Sequence, residues 1–164
     1  DWIDLTPALF GDSIETVVHG ISMGAATTMM TSGENLPDYI KCFVEDCGYT
    51  SVWEQFKKEL DEQFGLPAFP LLYTASWICQ IQNGWNFHEA SAINQVKKCR
   101  KPMFFIHGDK DDFVPTYMVH EVYNAKPEPK EIWIVPDTDH ATSYKNYPDE
   151  YTKRVKEFTD KYIK

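Results

Sequence analysis

The chain has 164 residues, 43% of them hydrophobic and 25% charged, which is the balance of an ordinary globular domain large enough to bury a core. Its formal net charge is −9, with the acidic residues dispersed along the sequence, and this argues against a phosphate-backbone partner, so no nucleic-acid partner is expected. No apolar run is long enough to span a bilayer and no signal-peptide pattern is visible, so no membrane segment is expected in this chain.

In chain order, residues 2–10 read as a helix leading into an apolar strand over 14–19. That strand runs into Gly20-Ile21-Ser22-Met23-Gly24 and then into the small residues Ala25-Ala26-Thr27-Thr28 of a helix. Gly-x-Ser-x-Gly between strand and helix is a setting in which serine becomes a nucleophile. The glycines allow a sharp turn that exposes the side chain, and the helix N-terminus offers free N–H groups and a positive dipole end. A second strand over 40–46 ends in the polar turn Cys47-Gly48-Tyr49. Ser51-x-x-Glu54 then reads as a capping box. Trp53, Phe56, Leu60 and Phe64 recur at helical spacing, and Gly65 with Pro67 closes that helix. The stripe predicts core contacts. The stretch from 49 to 96 is too long for a simple crossover and predicts several helices rich in aromatic residues, among them Tyr73, Trp77, Trp85 and Phe87.

A third strand, 102–107, opens into an acidic loop holding Asp109, Asp111 and Asp112, followed by a helix that starts near Pro115. A fourth, 131–136, leads to Asp139-His140 and a final helix with the apolar stripe Tyr151, Val155, Phe158 and Tyr162. Asp149 and Glu150 near its start, and lysines near its end, suit the helix dipole. Strand–helix alternation with apolar strands predicts an α/β fold, a parallel sheet of about four strands flanked by helices. Cys42, Cys47, Cys79 and Cys99 lack metal-ligand spacing. Cys42 and Cys47 on one strand lie about 16 Å apart, beyond the roughly 7 Å a disulfide allows. Free buried thiols are therefore expected, which leans towards a reducing, cytoplasmic setting.

Serine, aspartate and histidine thus occur in that order, each just after a strand, as in the α/β-hydrolase arrangement. Of five histidines, His19 and His107 sit on strands, and His88 and His120 fall in helical or surface segments. Only His140 follows the last strand, where its ring can fold back over Ser22. The acid is one of the three aspartates of the 109–112 loop, with Asp46 after the second strand as the alternative.

On GISMGAAT at 20–27, VEDCGYTS at 44–51, FIHGDKDDFVP at 105–115 and DHATSY at 139–144, the chain resembles the α/β-hydrolase superfamily. More narrowly, it is similar to the bacterial serine-hydrolase group related to prolyl-oligopeptidase and acyl-esterase-like enzymes, over essentially its whole length. The resemblance implies Ser22 as nucleophile, His140 as general base and Met23 as the donor of one oxyanion-hole N–H. It implies Asp111, the aspartate of HG-x-x-D-x-x-VP, as the triad acid. It further implies the C-terminal half of such a fold, so the strands ahead of the nucleophile strand, and the loop with the second oxyanion N–H, are expected outside this chain. Residues 1–164 are then one domain, with 49–96 as a helical cap insertion. The expected function is hydrolysis of small-molecule acyl esters through an acyl-enzyme, with no cofactor and no metal. A peptidase or amidase of the same fold is the alternative, as is a weakly active or non-catalytic fragment lacking half the oxyanion hole. The exposed edge of the nucleophile strand predicts a homo-oligomer.

Overall fold

The computed structural model describes residues 2–11 and 13–164. Its four strands are β1 (Thr16–Ile21), β2 (Ile40–Asp46), β3 (Met103–Gly108) and β4 (Lys130–Val135). They form one sheet in the order β1-β2-β3-β4, every neighbouring pair parallel, as the strand–helix alternation implies. Parallel neighbours need long crossovers. These carry α2 (Met23–Thr31), α3 (Val52–Phe64), α4 (Leu71–Asn83), α5 (Ala92–Val96) and α6 (Tyr117–Ala125). Helix α1 (Trp2–Phe10) precedes the sheet, and α7 (Ser143–Asn146) and α8 (Pro148–Thr159) follow it.

Side chains alternate across the strands, so the sheet feeds two apolar layers. Phe43, Met103 and Phe105 pack with Met29 of α2, Val96 of α5 and Val119 of α6. Cys42, Val44, Phe104 and Ile106 pack on the other face with Tyr151 and Phe158 of α8. The α8 stripe therefore meets the core as its spacing predicts.

Strand β1 runs two residues further than the 14–19 expected, because Gly20 and Ile21 still pair with Glu45 and Asp46. The ladder thereby reaches the residue before Ser22. Helix α3 is capped as its sequence predicts: the Ser51 Oγ accepts the Glu54 N–H at 3.1 Å, and Gly65 closes the other end at φ +62°. Its stripe does not reach the core as expected. Trp53 is buried, but Phe56 and Phe64 stay 45% and 67% exposed. Their facing partner is α4, whose only buried residues are Leu72 and Ser76, and the two helices leave an open apolar groove of about 300 Å³. The 49–96 stretch thus divides. Ala92 and Val96 of α5 are fully buried in the core. Helices α3 and α4 form an aromatic layer in which Trp53 stacks on His88 with centroids 3.8 Å apart and meets Tyr73 edge-on. Cys42, Cys47 and Cys99 are buried free thiols, and Cys79 is half-buried.

Candidate active site

The C-terminal ends of β1, β2 and β3 and the loop after β4 converge on Ser22. Its N–H donates to the Asp46 carbonyl at 2.8 Å, and its carbonyl accepts the Ala26 N–H at 3.0 Å, so strand pairing passes into helix within one residue. That junction forces Ser22 to φ +56°, ψ −118°, a conformation side chains rarely adopt. Gly20 makes the turn possible, because a Cβ there would lie 2.1 Å from the Gly24 carbonyl oxygen and 2.6 Å from Thr28 Oγ1. At Gly24 a Cβ would meet open space, so contacts within this chain do not demand the second glycine. Met23 opens α2, and its backbone N–H belongs to the first turn, where no intrahelical acceptor exists.

Ser22 Oγ lies 2.7 Å from His140 Nε2, and His140 Nδ1 lies 2.7 Å from Asp111 Oδ2. An ionised Asp111 can only accept, so the imidazole proton sits on Nδ1 and Nε2 accepts from the Ser22 hydroxyl. Burial alone would raise the Asp111 carboxyl; hydrogen bonds from His107, His140 and the Val114 N–H outweigh it and hold the group at about 2. Ala141, next to the histidine, takes φ +57°, a second left-handed residue at the site. The Phe113 ring stands 4.8 Å from the His140 ring and is 43% exposed, an apolar wall beside the imidazole.

The structure brings Ser22, Asp111 and His140 into one hydrogen-bonded string and leaves the other acidic residues out of it. Asp46 accepts from the Ser143 hydroxyl at 3.0 Å and from Tyr151, and burial raises its carboxyl. Asp109 accepts the Thr138 N–H, while the Asp112 carbonyl accepts from Lys58. His19 bonds Tyr151 Oη at 2.9 Å, away from Ser22.

Four contributors escape a reading by sequence. Gln55 and Lys58 of α3 donate to the Phe113 carbonyl and so tie the aromatic layer to the acid loop. Cys47, at φ +53°, sits with its sulfur beside Asp111 and His140. Burial and the Asp46 carboxylate push its thiol up, so it stays protonated. His107 contacts Asp111 from behind at 3.3 Å. Its i,i+4 spacing to Asp111 was the available signal, but the contact depends on how the loop turns back. Among the described residues, donor atoms of Cys47, Asp111 and His140 lie within 4.8 Å of one another, the one such cluster of metal-binding residue types. Asp111 and His140 already commit theirs to each other.

Comparison with known proteins gives a consistent picture. The prolyl oligopeptidase family profile matches residues 5–164. The uncharacterized protein YqkD of Bacillus subtilis is 33% identical over 143 residues, covering 87% of this chain and 47% of that protein. Among solved structures, an esterase of Pyrococcus furiosus superposes with TM-score 0.72 at 23% identity, over 98% of this chain and 58% of its own. An acylaminoacyl peptidase of Pyrococcus horikoshii superposes with TM-score 0.70 at 20% identity, over 99% of this chain and 26% of its own. The fold is shared with both. The chain spans about half the length of the curated relative it matches.

Proposed function

The chain belongs to the prolyl oligopeptidase family, and from that premise we propose that it is a serine hydrolase acting on carboxylic esters through an acyl-enzyme. The observation that carries this reading is the pair of 2.7 Å hydrogen bonds running from Ser22 through His140 to Asp111. His140 Nε2 takes the Ser22 proton as Oγ attacks the acyl carbonyl, and Asp111 steadies the resulting imidazolium through Nδ1–H. The Met23 N–H and the start of α2 stabilise the oxyanion. His140 returns the proton to the departing alkoxide, and the acyl group stays on Ser22. Water then gives a proton to His140 and attacks the acyl-enzyme, which releases the acid and restores Ser22.

An open groove of about 540 Å³ near the site is lined by Ile21, which precedes Ser22, by Tyr144, Tyr151 and Val155, and also by Lys156 and Asp160; Ser22, His140 and Asp111 do not line it. Its apolar part, which begins at the residue before Ser22, supports acyl groups of modest size. Helices α3 and α4 serve in this reading as the cap, held to the site through Phe113. Amide or peptide cleavage is the second reading, favoured by the family itself and by the acylaminoacyl peptidase among its structural neighbours. Among the described residues Met23 is the one oxyanion donor identified, and lacking a donor costs about 10²–10³ in rate, so slow turnover is expected. Stopped-flow hydrolysis of p-nitrophenyl acetate and butyrate should give a burst equal to the protein concentration, then a slow steady state, and Ser22→Ala should remove both. Turnover that survives Ser22→Ala rules this nucleophile out, and a burst only with aminoacyl anilides selects the peptidase reading.

A further inference from the structure

Four buried side-chain atoms have no hydrogen-bond partner among the described residues: Glu45 Oε1, Thr50 Oγ1, Gln55 Oε1 and His107 Nδ1. Such atoms are rare in folded proteins, and each calls for an account. His107 lies directly behind Asp111. It is fully buried, its Nε2–H donates to the Val114 carbonyl at 2.8 Å, and the same nitrogen stands 3.3 Å from Asp111 Oδ2. Asp111 Oδ1 accepts the N–H of that same Val114 at 2.8 Å. His107 therefore grips both the carboxylate and the loop that presents it. Only a ring with a proton on Nε2 can do this, and the neutral form then leaves Nδ1 as a buried acceptor in want of a donor.

Glu45 is placed to supply one. It pairs with Phe105 across β2 and β3, so His107, two residues further along, shares its face of the sheet. Strand spacing and rise put the two Cα atoms about 8 Å apart, a span that the two side chains bridge with one water between them. Glu45 is fully buried, and its Oε2 accepts the Gly48 N–H at 3.0 Å, which leaves Oε1 to carry a proton. Burial, reinforced by the neighbouring Asp46 carboxylate, holds this carboxyl well above its ordinary range and so favours the protonated form.

We propose that Glu45 and His107 form a second acid–histidine pair beneath the first, in which Glu45 Oε1–H donates to one buried water that in turn donates to His107 Nδ1, and His107 Nε2–H positions Asp111 for His140. Both residues act through Asp111 and touch no reacting atom, so they are positioning residues. The inference rests on the hydrolase reading for what Asp111 does, but its hydrogen bonds can be read without turnover.

The test is nitrogen-15 NMR of the imidazoles in the whole chain at neutral pH. His107 is expected wholly as the Nε2–H tautomer, and His140 is expected to show a low-field Nδ1 proton. Glu45→Gln, whose carboxamide can still donate, should keep both signals. Glu45→Leu should release His107 into a mixture of tautomers, weaken the His140 proton and slow fluorophosphonate labelling of Ser22 by about tenfold, the worth of one lost hydrogen bond. Thr50→Val, which removes another of the buried unpartnered groups, should change neither signal. A proton on His107 Nδ1 in the parent chain overturns the proposal, as does a tautomer that responds to Thr50→Val instead of Glu45→Leu. Should Glu45→Leu fail to fold, the parent tautomer and its retention in Glu45→Gln decide the matter. If the tautomers behave as stated while Ser22 takes no label, the hydrolase reading fails and the pair stands.

Discussion

At the scale of single residues, two carboxyls with opposite environments predict how stability follows pH. Asp111 is held at about 2 against an ordinary 3.8. On acidification the unfolded chain takes up its proton first, so its contribution is full above about pH 4 and is lost as pH falls towards 2, about 2 kcal/mol in all. Glu45 is raised well above its ordinary 4.5. Its contribution is therefore full below about pH 4.5 and is lost as pH rises towards the folded value. Denaturant unfolding between pH 3 and 9 should show Asp111→Asn flattening the acid limb and Glu45→Gln flattening the alkaline one. Profiles that coincide with the parent in both variants contradict these assignments. Ser22 and His140 were legible in the sequence because each occupies a position fixed by the strand before it. The choice of Asp111 over Asp46 needed the resemblance, since several aspartates stand near strand ends and only the tertiary path of the 109–115 loop brings one to His140 Nδ1. Glu45 and His107 were illegible as a pair, because cross-strand register is not written in either strand alone.

At the scale of elements, the β1–α2 junction is set by one glycine rather than two. Gly20→Val would drive a side chain into the Gly24 carbonyl and Thr28, and should cost about 2–3 kcal/mol or more. Gly24→Ala meets open space and should stay within about 0.5 kcal/mol of the parent. Thermal unfolding of the two variants checks this, and equal losses would mean that the turn is not as described. The motif Gly-x-Ser-x-Gly presents the glycines as equivalent, and only the packing of the helix start on the strand end separates them. Helix α3 teaches a similar lesson. Its cap was legible because capping is local, from Ser51 to Glu54. The fate of its stripe was not, because periodicity says that a face is apolar and not whether a sheet or another helix will meet it.

At the scale of the molecule, the sheet order and its parallel sense follow from strand–helix alternation, and the apolar strands imply cover on both faces. The two layers around Phe105 and Phe104 provide that cover. Strand β1 has a sheet neighbour on one side only among the described residues, and Ile21 on it is 45% exposed. An unpaired parallel edge invites pairing with another chain. Sedimentation of the 164-residue chain at tens of micromolar is expected to show dimers or larger species; a monodisperse monomer contradicts that expectation. The account as a whole turns on whether Ser22, His140 and Asp111 act together on an electrophile. The most direct measurement is intact-mass analysis of the chain after treatment with a fluorophosphonate, with the modified residue mapped by peptide sequencing. The account predicts one adduct per chain, on Ser22, that does not form when the chain is heat-denatured before treatment and is absent from Ser22→Ala. A folded chain that takes no adduct, or takes it on another residue, contradicts it.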